Sequence, residues 1–467
     1  MSTGALLQLA AKNEFDEMLF SSDIKMSEFK STYKKITNFA EMPYSFYPSS
    51  SITWGERVVF KINKVGDLLT NMYLALEIPE ISVSDIIGKS ESEVTSNYRV
   101  KWMDYLGYVI IENAILRIGG KIIQEMTGEY MMCYTDLYDC SWSNLKLFGH
   151  DGDLIQPQLK ITKQFIYVPL RFFNCGNYNS ALPVTALRYH EIEVEIKLRN
   201  WEGVYLVLQQ LTDIKDPAGL NTDINSYKYA HTYNKLPIKK FNNIRLDCNF
   251  VFLGETERNY FVNNKIEMLI TQVQSQHQSI SKTDSVFLNF YNPIKELYFL
   301  ISKSEIRELG EIFNYSGKPA FIPFDRDGNE ITEFTKSLWT QIPEKHILLD
   351  ASLQFDNVDR VPNKDYKYWY IVQNYETFKS KPEHYIYLYS FGLNSKKNMG
   401  SCNFSEIDIA KLNLHLAESD IRSYNIQNPN FYQIELGPER STFISVYGVN
   451  YNIFIIEDGL SELVYGM

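Results

Sequence analysis

The chain has 467 residues, a formal net charge of −11 and an aromatic content of 14%. A chain of this length exceeds one ordinary hydrophobic core, so we expect two or three domains. The acidic balance argues against a broad basic face that binds nucleic acid. Five cysteines without C-x-x-C spacing are typical of reduced thiols in a cytosol-like compartment. Neither a signal peptide nor an apolar span of about 20 residues is recognisable, so we expect a soluble protein.

The first predicted element is a short helix over Thr3–Lys12, with Leu6, Leu9 and Ala10 on one face. A helix this short is unstable alone, so that face must dock on another surface. Two alternatives stay open: packing on its own domain, or service as an arm that contacts a neighbouring subunit.

Strand patterns dominate the rest of the first half, including Trp54–Ile62 and the end of Val65–Pro79. The Gly119–Gly120 pair predicts a tight hairpin turn, because both glycines tolerate positive φ. A helix is predicted over Thr127–Asp139, with Thr127 as its cap and an acidic residue in its first turn.

The most regular alternation runs from His190 to Leu198. The apolar set is Ile192, Val194, Ile196 and Leu198, and the polar set is Glu191, Glu193, Glu195 and Lys197. A period of two predicts a strand with one face on a core and one in water, which is typical of antiparallel sheets. Paired carboxylates can bind a cation or transfer protons, but nothing marks a pocket, so we interpret these glutamates as a solvated face.

The same pattern returns in Gly400–Leu416, where Leu412, Leu414 and Leu416 form the apolar face. Ile407 and Ile409 alternate one residue out of phase, which predicts a β-bulge near Ala410–Lys411. Each copy follows an aromatic segment: Phe165–Phe173 in the first half and Tyr385–Leu393 in the second. Two long β segments in the same order, about half a chain apart, predict one β-sandwich built twice rather than an α/β enzyme.

Motifs for catalysis or metal binding are not recognisable. The seven histidines are scattered, and no H-E-x-x-H, G-x-S-x-G, Walker or G-x-G-x-x-G pattern occurs. Asp325–Glu330 resembles a calcium loop, but aligning its glycine with the EF-hand glycine puts Pro323 and Phe334 at ligand positions. We therefore expect a turn there, no metal, no cofactor and no enzymatic activity.

Several segments, in order, resemble the major capsid protein of large nucleocytoplasmic DNA viruses. They include ALLQLAAKNEFD, VKWMDYLGYVIIENAILRIGGKII (Val100–Ile123), YVPLRFF with ALPVTALRYHEIEVEI (Tyr167–Ile196), LNFYNPIKELYFLI (Leu288–Ile301) and SVYGVNYNIFIIEDGLSELVYG near the end. The resemblance runs nearly end to end, although Glu14–Lys30 matches only loosely.

The resemblance implies an all-β fold of two consecutive antiparallel jelly-roll β-sandwiches with short helices in loops. On this basis we expect an N-terminal arm at 1–20, a first jelly roll at 21–225 and a second at 226–467. The polar segment Thr212–Asn234 is the candidate linker, or a long exposed loop just before one. Glu129–Lys163 and Lys303–Lys345 are candidates for the loops of the outer tower.

The resemblance also implies a function. Three chains form a pseudo-hexagonal capsomer, and capsomers tile an icosahedral outer shell in the virion, assembled in the host cytoplasm. The implied partners are further copies of the chain, minor capsid proteins and, through them, an internal membrane, without direct contact to nucleic acid. A capsid paralogue, or a scaffold protein like that of poxviruses, shares this fold and stays an alternative.

A carbohydrate-binding jelly roll is the alternative from a different class, because lectins also use this fold. Its candidate sugar platform is Tyr366, Tyr368, Trp369 and Tyr370. Alternation alone favours a buried strand for that segment instead. A hydrolase or cupin-like enzyme lacks any supporting motif.

Overall fold

We analysed a computed structural model of the chain. It describes residues 7, 10–11, 37–49, 52–86, 98–138, 145–210, 227–229, 235–241, 243–317, 320, 346–378, 382–393, 400–417 and 442–466. Two compact units are present, Met1–Phe39 and Ala40–Met467. No helix among the described residues has the length and apolar character needed to cross a membrane.

In the first unit, Leu7 and Ala10 are helical and exposed, and the Ala11 amide donates to the Leu7 carbonyl at 2.9 Å. One helical turn therefore lies inside the predicted Thr3–Lys12 helix. Leu6 and Leu9 lie outside the described residues, so the docking face of the arm stays a prediction.

The first sandwich comprises the strands between Phe39 and Leu253. Its strands are β1 (Phe39–Phe46), β2 (Arg57–Ile62), β3 (Leu68–Ile78), β4 (Ile81–Ser82), β5 (Tyr98–Trp102), β6 (Ile111–Ile118), β7 (Lys121–Thr127), β8 (Lys160–Ile161), β9 (Gln164–Pro169), β10 (Leu182–Pro183), β11 (Ile192–Leu198), β12 (Tyr205–Gln210), β13 (Tyr227–Tyr229) and β14 (Ile244–Leu253). Its helices are α1 (Leu106–Ile110), α2 (Gly128–Tyr138) and α3 (Gly152–Ile155), with 3₁₀ turns at Val83–Asp85, Lys146–Phe148, Tyr178–Ser180 and Trp201–Gly203.

The second sandwich follows α4 (Glu255–Asn263). Its strands are β15 (Ile266–Ile280), β16 (Thr283–Phe287), β17 (Pro293–Lys303), β18 (Leu348–Phe355), β19 (Val358–Asp365), β20 (Tyr387–Ser390), β21 (Cys402–Asn403), β22 (Ala410–Leu416), β23 (Thr442–Glu457) and β24 (Leu460–Leu463). Its helices are α5 (Ser304–Glu308), a π-helical turn (Tyr368–Val372) that continues as α6 (Gln373–Phe378), and a 3₁₀ turn at Phe404–Glu406.

The two sandwiches have the same strand topology. In the first, β1, β14, β3 and β9 form one sheet, and β2, β11, β6 and β7 form the other. In the second, β15, β23, β17 and β20 form one sheet, and β16, β22, β18 and β19 form the other. Counting the eight sandwich strands of each copy in chain order, both pairs of sheets run 1-8-3-6 and 2-7-4-5. The fold is therefore a jelly roll built twice, which confirms the predicted duplication.

The alternating segments occupy equivalent places in the two copies. β11 and β22 are each the seventh strand of their sandwich, and both show alternating burial. Ile192, Val194, Ile196 and Leu198 lie in the first core, and Leu412, Leu414 and Leu416 lie in the second. The preceding aromatic segments supply β9 and β20, the sixth strand of each copy.

The polar face of β11 is less solvated than the sequence analysis expected. The Glu191 side chain is 76% exposed, but the Glu195 side chain is only 12% exposed. Glu195 lies between Arg57 at 2.7 Å and Arg117 at 3.2 Å, on the strands that flank β11. The face is therefore a cross-strand ion-pair row rather than a free row of carboxylates.

Hairpin turns and helix caps follow the sequence signals. Gly119 and Gly120 have φ values of 59° and 77° and join β6 to β7, as predicted. The equivalent β18–β19 turn uses Asp356 and Asn357, with φ values of 49° and 66°. The Thr127 hydroxyl accepts from the Tyr130 amide at 3.1 Å and so caps α2.

Two local predictions are wrong. The predicted bulge near Ala410–Lys411 does not occur, because β22 pairs with β18 in continuous register there. Ile407 and Ile409 lie before β22 begins, so their alternation is not continuous with that of the strand. The aromatic segment expected as a buried strand is helical: Trp369, Tyr370, Gln373 and Asn374 are buried at helical spacing.

The predicted division after residue 225 falls too early. β14 lies between β1 and β3, so the first jelly roll extends at least to Leu253. Apart from β13, the polar segment Thr212–Asn234 lies outside the described residues, as does Asp325–Glu330, where a turn was predicted. β12 before this segment and β14 after it both belong to the first half of the fold, so the segment does not divide the two jelly rolls, and its exposure stays a prediction.

Adjacent residues on β11 should respond differently to substitution. Val194 is fully buried, so Val194→Asp places an unpaired carboxylate in the core and should lower the free energy of unfolding by several kcal/mol. Glu193 faces the ion-pair row, 3.5 Å from Lys61, so Glu193→Gln should cost about 1 kcal/mol or less. Thermal and urea unfolding of both variants test this; equal stabilities would contradict the assigned faces.

Candidate functional site at the joint between the two sandwiches

One sheet of the second sandwich is buried on both faces. Nine of the eleven residues of β17 are buried, whereas β3, its counterpart in the first sandwich, alternates. On the inner face, Leu297 and Phe299 belong to the second core. On the outer face, Tyr298 and Leu300 belong to the hydrophobic cluster of the first sandwich. The two sandwiches thus share an apolar joint.

The helix α2 fills this joint. Eight of its eleven residues are buried, although its length alone would not make it stable in water. The Tyr130 ring lies 6.2 Å from that of Tyr298 and 5.7 Å from that of Tyr447. Thr127 lies at the end of β7 and caps α2. Its hydroxyl lies 3.0 Å from the Tyr447 hydroxyl, so the helix begins at the outer face of the second sandwich.

Glu129 is the first carboxylate of the joint, and its side chain is 12% exposed. It accepts hydrogen bonds from the hydroxyls of Tyr447 at 2.5 Å and Tyr315 at 2.8 Å, and it pairs with the Arg307 guanidinium at 3.0 Å. Burial raises the pKa values of both tyrosines well above 10, so both hydroxyls remain donors. One acidic residue of the first sandwich therefore organises three donors of the second.

Glu296 on β17 is the second carboxylate, and its side chain is fully buried. It accepts from the Tyr138 hydroxyl at 3.0 Å and from the Tyr298 hydroxyl, and the Lys295 ammonium lies 3.3 Å away. Burial raises the pKa of Tyr138 well above its ordinary value. The far end of α2 is thus fixed through a carboxylate of the opposite sandwich.

Asp136 is the third carboxylate, also fully buried. It accepts from the backbone amides of Glu383 and His384 at 3.0 Å each, and the His384 ring nitrogen Nδ1 lies 3.2 Å away. Burial alone would raise the pKa of Asp136, but the His384 and Glu383 interactions outweigh burial and hold the pKa below its ordinary value. The carboxylate therefore stays ionised.

A strand-to-strand contact completes the joint. The Gln272 side-chain amide on β15 donates to the Ile123 carbonyl on β7 at 2.5 Å and accepts from Asn452 at 2.8 Å. β7 is the edge strand of its sheet, so this bond places a donor of the second sandwich at a strand that has a neighbour on one side only.

Glu311 lies beside the joint, where α5 leads into the next loop. It is 6% exposed, and its carboxylate accepts from Asn314 and from the Ala320 amide at 2.9 Å. Burial raises the pKa of Glu311 to about 7, despite these hydrogen bonds. This carboxyl therefore changes its charge near neutral pH.

Chemically, this arrangement positions two bodies rather than a substrate. Its carboxylates contact tyrosine hydroxyls, backbone amides and cations, and each accepts at least one hydrogen bond from the opposite sandwich. Among the described residues, no group of three or more His, Cys, Asp or Glu side chains is arranged to hold a metal ion.

The site residues predicted from the sequence are not the residues that form the joint. The core residues of β11 and β22 shape each sandwich but do not form the joint's polar contacts. The sequence analysis placed an acidic residue in the first turn of α2 without a role, and it missed Asp136 and Glu296. The tyrosine-rich helix sequence GEYMMCYTDLY, with two carboxylates, could have indicated Glu129 and Asp136, whereas Glu296 lies on β17.

The candidate sugar platform does not form an exposed stacking surface. Trp369 is fully buried and Tyr370 is 4% exposed. The Trp369 ring packs edge-on against Phe299 at 5.6 Å, inside the second core. Tyr366 and Tyr368 are half-buried.

Removing the Glu129 carboxylate should weaken the contact between the two sandwiches and so destabilise the fold. Glu129→Ala leaves two buried hydroxyls and a guanidinium without their acceptor, and should lower the free energy of unfolding by about 3–5 kcal/mol. Glu125→Ala removes an exposed carboxylate that binds only Asn113 among the described contacts, and should cost about 0.5 kcal/mol or less. Urea unfolding of the pair checks this, and similar losses would contradict the joint's role.

Glu311 should make stability pH-dependent. Its folded pKa of about 7 lies above its ordinary value of 4.5, so between these values the folded state holds a proton that the unfolded state has released. The contribution is therefore present at low pH and is lost as pH rises through 7. Relative to Glu311→Gln, the wild type should lose stability between about pH 4.5 and 7; a constant difference in thermal unfolding would contradict it.

Comparisons with known proteins agree with this architecture. A family model described as "Major capsid protein N-terminus" matches residues 27–254, and one described as "Large eukaryotic DNA virus major capsid protein" matches residues 257–461. The change between the two matches falls at α4, where the second sandwich begins.

Alignments with relatives and with solved structures cover most of the chain. The major capsid protein of Phaeocystis pouchetii virus is 25% identical, and that of Paramecium bursaria Chlorella virus 1 is 24% identical, each alignment covering 99% of both chains. The chain in the quasi-atomic model of the PBCV-1 virus capsid shares the fold with a TM-score of 0.69 at 22% identity, over 94% of this chain and 100% of that one. The Faustovirus major capsid protein has a TM-score of 0.67 at 11% identity, over 97% of this chain and 96% of that one.

The two family matches together run from residue 27 to residue 461, over both copies of the jelly roll. The predicted resemblance is therefore confirmed: the chain belongs to the major capsid protein family of large eukaryotic DNA viruses.

Proposed function

We propose that three copies of this chain form a pseudo-hexagonal capsomer, and that capsomers tile the icosahedral outer shell of a virion. The observation that carries the proposal is the doubled 1-8-3-6 and 2-7-4-5 topology, joined by a buried interface. Each chain thus presents two similar bodies in one compact unit. Three such chains supply six similar bodies, which is the number that hexagonal tiling requires.

The buried joint suits a building block. A capsid subunit must present its contact surfaces in one fixed arrangement, and buried hydrogen-bonded networks favour one docking geometry over others. Three buried or nearly buried carboxylates, each bonded across the joint, supply that constraint. We infer a structural role without catalysis, because these groups are engaged in holding the chain together.

The proposed partners follow the family. They are further copies of the chain, minor capsid proteins and, through these, an internal membrane, with no direct contact to nucleic acid. Assembly in the host cytoplasm is part of the same proposal. The N-terminal segment 1–20, with Leu6, Leu9 and Ala10, is the proposed arm toward inner partners.

The position of α2 limits which residues we propose for the outer tower. The first candidate, Glu129–Lys163, begins with α2, which lies in the joint and is largely buried. We therefore propose that only the part after Tyr138 contributes to the outer surface in the first sandwich. Lys303–Lys345 remains the proposed contribution of the second.

The purified protein should be a trimer. Light scattering on a sizing column should give three times the mass of the chain, and negative-stain images at high concentration should show hexagonal arrays. A stable monomer at micromolar concentration would contradict the capsomer. Glycan-array binding by such a monomer would support the lectin alternative instead, and trimers that never form flat hexagonal arrays would favour a paralogue or scaffold.

A further inference from the structure

The two sandwiches touch a second time, at the end of β7 opposite α2. Thr127 ends β7 where α2 begins, and Gly119–Gly120 forms the hairpin turn at the other end of the strand. The seven extended residues of β7 place these two ends about 23 Å apart. At the second end, the hairpin of β23 and β24 lies against the connection that precedes β11.

The connection before β11 pairs with β24 in the manner of a neighbouring strand. The Tyr189 amide donates to the Gly459 carbonyl at 3.1 Å. Two residues further along the hairpin, the Ser461 amide donates to the His190 ring nitrogen Nδ1, also at 3.1 Å. The Ser461 hydroxyl lies 2.8 Å from the same nitrogen. A side-chain nitrogen therefore takes the place of the backbone carbonyl that would accept this amide in a sheet.

Two glycines allow their turns to approach this histidine segment closely. A β-carbon at Gly119 would lie 2.6 Å from the His190 ring. One at Gly459 would lie 2.9 Å from the Tyr189 ring. Both distances are shorter than a contact between carbon atoms, so a larger residue would push each turn away. His190 is therefore held between the β6–β7 turn of its own sandwich and the β23–β24 hairpin of the other.

The hydrogen bond from Ser461 determines the charge of the imidazole. A ring nitrogen accepts from an N–H group through its lone pair, so the Nδ1 atom of His190 carries no proton in this arrangement. Protonation makes both ring nitrogens donors. The Ser461 hydroxyl could then accept from Nδ1, but the Ser461 amide would lose its acceptor. Ser461 is only 6% exposed, and a buried amide without an acceptor is unfavourable.

Charged residues of both signs lie on the elements packed around His190. Lys64, on the connection between β2 and β3, donates to the Arg188 carbonyl at 3.0 Å. The Glu191 carboxylate is 76% exposed and lies 3.5 Å from the Lys61 ammonium. The other charged residues that flank the contacting positions are Arg117 and Lys121 at the β6–β7 turn, and Glu457, Asp458 and Glu462 on the hairpin.

Among the described residues, no carboxylate forms an ion pair with the His190 ring. Protonation therefore gains no ion pair in the arrangement shown, and the lost amide bond decides the outcome. The ring is half-buried, so solvent protons reach it.

We propose that His190 is a pH-sensitive latch: it holds the β23–β24 hairpin on the first sandwich while its imidazole is neutral, and it releases the hairpin when the imidazole is protonated. Histidine is the side chain whose charge ordinarily changes between about pH 5 and 8, so mild acid is sufficient. Release would free one end of the second sandwich, while the joint at α2 stays closed. The latch belongs to the fold of one chain and does not depend on the proposed trimer.

Hydrogen–deuterium exchange of the whole protein tests the release directly. Between pH 7.5 and pH 5.5, peptides that cover Leu460–Leu463 should lose about tenfold in protection, after correction for the intrinsic pH dependence of exchange. Peptides of α2 should keep their protection. A local measurement is needed because Glu311 makes the global stability depend on pH in the opposite direction. Equal protection of β24 at both pH values would overturn the proposal.

Two substitutions of His190 separate its charge from its role as an acceptor. His190→Asn offers a side-chain oxygen near the position of Nδ1 that does not titrate in this range, so β24 should be equally protected at both pH values. His190→Phe keeps a ring without an acceptor, so β24 should exchange at pH 7.5 as the wild type does at pH 5.5. A loss of protection in the Asn variant equal to that of the wild type would assign the effect to other groups and refute the latch.

His415→Asn is the matched control. His415 lies on β22, in the other sheet of the second sandwich from β24, and its 44% exposed side chain lies 3.2 Å from Asp350. The substitution removes a titrating imidazole from the same chain, so the pH response of β24 should remain that of the wild type. Disappearance of the response in this variant would contradict its assignment to His190. Thermal unfolding establishes that the variants fold, and the Asn variant decides the question even if the Phe variant does not fold.

Discussion

The docking of α2 against the outer face of the β17–β23 sheet is the contact on which the rest of the structure depends. A sheet in an isolated sandwich has one face on its core and one in water, and its strands alternate accordingly. β17 is buried almost throughout, because its outer face meets a helix of the other sandwich. Without that helix, tyrosines and leucines of the second sandwich would be exposed together, and the two jelly rolls would be separate bodies.

The polar groups of the joint determine its geometry more than its stability. Burying a carboxylate costs several kcal/mol unless hydrogen bonds and cations compensate, so Glu129, Asp136 and Glu296 contribute little net stability through their pairs. Each nevertheless demands particular donors: two tyrosine hydroxyls and an arginine, two backbone amides and a histidine, or two tyrosines and a lysine. A rotation of one sandwich against the other would remove the donors of Glu129 and Asp136 and the Tyr138 hydroxyl that binds Glu296. The apolar contacts hold the sandwiches together, and the carboxylates select one orientation.

Local patterns were sufficient to predict the duplicated fold. The alternation in β11 and β22 marked the seventh strand of each jelly roll, since one face of such a strand is buried and the other is not. Gly119–Gly120 marked a hairpin, because its φ values suit few other residues. The helix at Tyr368–Phe378 was missed because aromatic residues favour strands and the segment is short.

The joint could not be predicted in the same way. Its hydrogen bonds connect residues far apart in the chain, such as Glu129 with Tyr447 and Asp136 with His384. Contacts of this kind leave no periodic signal, and each carboxylate looks like an ordinary surface residue until its partner is placed. The division between the jelly rolls was misplaced for a related reason. Polar composition marks exposed chain, and the connection before β14 is as polar as a linker would be.

The differences between the two copies carry as much meaning as their likeness. Duplicated sandwiches with identical surfaces could pair in several ways: either helix could dock on either sheet. The helical segments instead differ in charge: Glu129 lies two residues after the cap Thr127, whereas Lys367 lies two residues after the cap Asp365. If the second helix docked on a second-sandwich sheet, Lys367 would meet a hydroxyl beside Arg307, where the joint holds a carboxylate. Specificity of this kind arises from unfavourable wrong pairings as much as from favourable correct ones. The sequence divergence of the two jelly rolls therefore supplies a physical reason for α2, rather than the helical segment of the second sandwich, to occupy the joint.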